Sequence, residues 1–107
     1  MEDFIIEKVG WLTTIPGNES IENKIRATFR SLVLFLQKEN LTTRKILDEN
    51  EFVDDNKEFK KSDLTNEGFI LLSNCLSKWR KKIDKGGDYN DLTILEKELK
   101  RIRIQNN

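Results

Sequence analysis

The chain has 107 residues, a length that suits one domain, with apolar and charged side chains each making up 36%. Lysine plus arginine and aspartate plus glutamate both total 19, and that zero balance argues against a domain held to nucleic acid by bulk positive charge. With no histidine and a single cysteine, Cys75, the sequence holds no internal disulfide, no ordinary zinc ligand set and no imidazole-dependent nucleophile.

From the N-terminus, Ile5, Val9 and Leu12 recur at helical spacing and predict a short helix over 3–12. Ile15-Pro16-Gly17 then breaks the pattern, since proline pushes its predecessor toward an extended conformation. The opening residues carry no basic region followed by a long apolar stretch, so no signal peptide is expected. Asn18 or Ser20 caps a long helix over 20–39, whose stripe is Ile21, Ile25, Phe29, Leu32, Val33 and Leu36, widened by Leu34 and Phe35. The run Leu32-Val33-Leu34-Phe35-Leu36 is the longest apolar stretch, far short of the ~20 residues a bilayer span needs. A short helix over 43–48 should follow, capped by Thr42 or Thr43.

Residues 48–61 have no helical stripe. Placing Asp54-Asp55-Asn56-Lys57 in a turn sets Phe52 opposite Phe59 in a minor β-hairpin over 51–60, with a plain loop as the alternative. Asp63 or Thr65 starts a second long helix over 65–84, with Phe69, Leu72, Leu76, Trp79 and Ile83 as its packing seam. Lys78, Arg80, Lys81, Lys82 and Lys85 gather at its end, where cations complement the helix dipole, and Gly86-Gly87 stops it. A third helix over 91–104 starts at Asn90 or Asp91 and carries Leu92, Leu95, Leu99 and Ile102. The short connection predicts that the last two helices pack antiparallel. The fold expected is therefore mostly α: one helical domain over 1–107, a small bundle of three long helices with short helices and the minor hairpin.

No recognisable catalytic, metal or phosphate site emerges, and no cofactor is expected. Gly86-Gly87 lacks the lysine and hydroxyl of a phosphate loop, and neither Asp84 nor Asp54 starts a workable calcium loop. Cys75 falls beside the seam and reads as a small buried hydrophobe; Trp79 reads as core and Trp11 as more exposed. Leu64-Thr65-Asn66-Glu67-Gly68 is similar to the leucine-threonine-x-x-glycine that opens the helix after a wing in winged-helix DNA-binding domains. That resemblance covers residues 41–68 and implies a small nucleic-acid-binding regulator. The sequence leaves no room for a recognition helix before the wing, so the chain is not assigned to that family.

Charge is unevenly placed: residues 1–67 carry a net −4 and residues 68–107 a net +4. The densest acid lies in Asp48, Glu49, Glu51, Asp54, Asp55 and Glu58, opposed only by Lys57. These six are the candidate partner-binding residues. The reading reached by elimination is a non-enzymatic, cytoplasmic protein-binding protein of the immunity-protein or antitoxin kind, docking an acidic surface on a basic partner and using no membrane. The alternative is a nucleic-acid-binding regulator that uses the basic ends of the last two helices.

Overall fold

A computed structural model describes residues 5–8, 19–53 and 56–105. Strand β1 (Ile5–Lys8) precedes helix α1 (Glu19–Lys38), strand β2 (Glu58–Lys60), a 3-10 turn (Lys61–Asp63), helix α2 (Asn66–Asp84) and helix α3 (Thr93–Gln105). The protein is thus mostly helical with one small sheet, and the three long helices lie where their apolar periods put them.

In α1 the residues Phe29, Leu32, Val33, Phe35 and Leu36 are buried, and Ile25 packs against them. The helix ends in a Schellman motif. Asn40 takes a positive φ of 62°, its N–H donates to Gln37 at 3.2 Å, and the Leu41 N–H donates to Leu36 at 2.8 Å. Asparagine is one of the few residues with a side chain that tolerate this conformation.

The helix expected over 43–48 does not form. Thr42 bridges Leu64 instead, Thr43 N–H donates to Asp63 at 2.9 Å, and Thr65 N–H donates to Leu41 at 2.9 Å. The next two donors, the N–H groups of Ile46 and Leu47, are taken by the Gln37 side-chain oxygen at 2.6 and 2.9 Å. Backbone groups satisfied from outside the segment have no need of a helix's own ladder. Arg44 fixes the same bridge by a fork onto Asp63, with Nε 2.6 Å and Nη2 3.2 Å from the two carboxylate oxygens. Burial pushes the Asp63 carboxyl up, but the Arg44 fork and the Lys60 N–H more than offset it and hold it below its usual range.

Two expectations about the ends of the first half are corrected together. Residues 5–8 are a strand and not the start of a helix, and β2 pairs antiparallel with that strand, Ile5 opposite Lys60 and Lys8 opposite Glu58. Val9, Leu12 and Trp11 lie outside the described residues. No strand forms over 51–53, so the local hairpin is absent. Phe59 is fully buried, its ring 5.9 Å from that of Phe29, whereas Phe52 is 72% exposed. Phe59 is claimed by α1, and its backbone finds a partner far away in sequence.

Thr65 caps α2, accepting from Gly68 N–H at 3.1 Å. The observed seam is Leu71, Leu72, Cys75, Trp79 and Ile83, with Phe69 and Leu76 half-buried. The buried band is displaced toward 71 and 75 because α2 packs on α3 and also, at Gly68, against the chain at Leu41. Leu76→Ala therefore falls short of the full cost of a buried leucine. The α2–α3 pair is antiparallel, tied by Lys82–Asp91 at 2.8 Å, Asn74–Glu98 at 2.9 Å and Glu67–Arg103 at 2.8 Å. Leu95, Leu99 and Ile102 form the buried side of α3.

Candidate partner-docking surface

The acidic segment is a strap along α1. Ile46 and Leu47 are buried at one end and Val53 at the other, which pins both ends and leaves 48–52 outside. Three α1 side chains hold it in sequence. Gln37 accepts from Ile46 and Leu47 and donates to the Leu47 carbonyl at 2.8 Å. Arg30 donates to the Glu49 carbonyl at 2.6 Å and, through its other terminal nitrogen, to the Glu51 carbonyl. Arg26 lies 5.8 Å from the centroid of the Phe52 ring. The strap thus runs back along the helix, from the level of Gln37 to that of Arg26.

Within the strap, Glu51 N–H donates to the Asp48 carbonyl at 3.1 Å and the Glu51 carboxylate accepts from Asp48 N–H at 3.2 Å, closing a small turn. Lys57 pairs with Glu51, and Lys45 with Asp48 at 2.7 Å. Each pairing, with the lysine hydrogen bond as its main cause, holds the carboxyl below its usual range. The Lys45–Asp48 pair is exposed, so it contributes little stability and is screened by salt. Glu49 is exposed.

The structure therefore brings Asp48, Glu49 and Glu51 into one turn. Glu58 belongs to β2, where it is half-buried opposite Lys8, and does not join them. Asp54 and Asp55 lie outside the described residues. The acids are also less unopposed than the sequence count suggests, since Lys45 joins Lys57 against them. What sequence reading missed is the clamp. Arg26, Arg30 and Gln37 stand at helical spacing on one side of α1, a polar line beside an apolar stripe, and that line was the available signal.

Arg30→Ala is expected to free the strap and leave the helices in place. Hydrogen exchange should quicken across 48–52, while amides of α2 and α3 keep their protection. A uniform rise over the whole chain would show that Arg30 holds the core and not the strap.

Two other surfaces compete for a functional role. Lys78, Lys81, Lys82 and Lys85 are exposed along one side of α2 and line, with Gly86 and Gly87, a shallow depression of about 560 Å³. Lys82 is tied to Asp91, and Lys24 donates to the Ile83 carbonyl at 3.3 Å, answering the negative end of the helix dipole. Between α1 and α3 runs a groove of about 660 Å³ whose walls include Leu34, Phe35, Lys38, Leu99, Lys100 and Ile104. Its inner edge is bound together by Arg103, which donates to the Glu39 carbonyl at 2.7 Å, the Glu39 carboxylate at 3.1 Å and Glu67 at 2.8 Å.

Among the described residues, no group of histidine, cysteine, aspartate and glutamate side chains could hold a metal ion. Cys75 is buried and donates to the Leu71 carbonyl at 3.2 Å, and burial pushes its thiol up to about 11. No described helix is long and apolar enough to cross a membrane. No family model, curated protein or solved structure matches the chain.

Proposed function

We propose that this chain is a non-enzymatic binding protein that presents the acidic strap to a basic surface on a partner protein, in the manner of immunity proteins and antitoxins. The supporting observation is the way Arg30 holds the strap. It bonds the carbonyls of Glu49 and Glu51, which fixes the backbone of the strap on α1 with the exposed Glu49 carboxylate on the outside. A fixed patch loses little conformational entropy on docking and steers an oppositely charged partner toward it. A cytoplasmic location goes with the proposal, consistent with a lone thiol kept buried and protonated.

The test is capture of a partner from the native cell, followed by binding kinetics with the purified pair. A variant carrying Asp48→Asn, Glu49→Gln, Asp54→Asn and Asp55→Asn is expected to associate on the order of tenfold more slowly at low salt, with the gap closing as salt rises. Unchanged association in that variant, together with loss of binding in Lys81→Glu/Lys85→Glu, would defeat the proposal. A second reading, nucleic-acid binding, rests on the exposed Lys78, Lys81 and Lys82 of α2 and Lys85 just after it. It requires duplex binding in which the logarithm of the binding constant falls linearly with the logarithm of salt concentration.

A further inference from the structure

We draw no further inference here: the strongest candidate, the groove between α1 and α3 lined by Leu34, Phe35 and Leu99, carries nothing because Glu39 and Glu96 stand beside Lys38 and Lys100 in its walls and nothing in the structure shows what covers it.

Discussion

Trp79→Ala is expected to lower the melting temperature by about 12 °C or more, or to leave the chain unfolded. Trp79 is fully buried between α2 and α3, and its indole N–H donates to the Asp91 carbonyl at 3.0 Å. Truncating a core tryptophan costs about 3–5 kcal/mol, from a total stability of about 5–15 kcal/mol for a domain. At about 4 °C per kcal/mol, the lower end of that cost already gives the shift stated. The ring fills the space between the helices, and its N–H also anchors the turn that starts α3. Two separate losses follow, which Trp79→Phe divides. The phenylalanine keeps most of the packing but strands the Asp91 carbonyl, at about 1–3 kcal/mol. Thermal melts followed by circular dichroism measure both. In Trp11→Phe protein, emission from Trp79 should be blue and poorly quenched by iodide. A Trp79→Ala melt within a few degrees of wild type would mean that the helix pair is not organised around this residue.

The parts legible from sequence are those in which neighbouring residues decide the outcome. The helices α1, α2 and α3 follow from apolar residues three and four apart, and Thr65 and Gly86 mark ends by local chemistry that a short window displays. Gly86 takes a φ of 99°, the conformation for which glycine is suited at a helix end. The parts that were not legible depend on partners distant in sequence. Residues 5–8 show a fragment of helical spacing, yet they extend because the edge of β2 is open to them. Phe52 and Phe59 are the same residue seven positions apart, and only the position of Phe29 decides that one is buried and the other exposed. The acids of the candidate surface were plain from composition. Their arrangement was not, because it rests on Arg30 and Gln37 bonding the backbone of a segment up to 21 residues away.

Gly68→Ala sets two physical effects against each other and has a definite expected sign. Gly68 lies in the first turn of α2, where alanine is the better helix former by about 0.8–1.0 kcal/mol. Propensity alone therefore predicts a more stable protein. Packing predicts the opposite. A Cβ at this position would sit 2.6 Å from the Leu41 carbonyl oxygen and 3.1 Å from the Leu41 Cβ. The oxygen cannot retreat cheaply, because it accepts from the Thr65 N–H at 2.9 Å and the Thr65 hydroxyl at 3.3 Å. Moving it breaks the crossing that carries the chain past the start of α2. Forcing a methyl group into such a site costs about 1–3 kcal/mol, enough to outweigh the gain in propensity. The melting temperature should therefore fall, and Gly68→Val should lower it further. The same contact accounts for the glycine in Leu64-Thr65-Asn66-Glu67-Gly68 through packing alone, with no wing or nucleic acid required. An alanine variant that melts higher than wild type would show that α2 and Leu41 are not in close contact at this point.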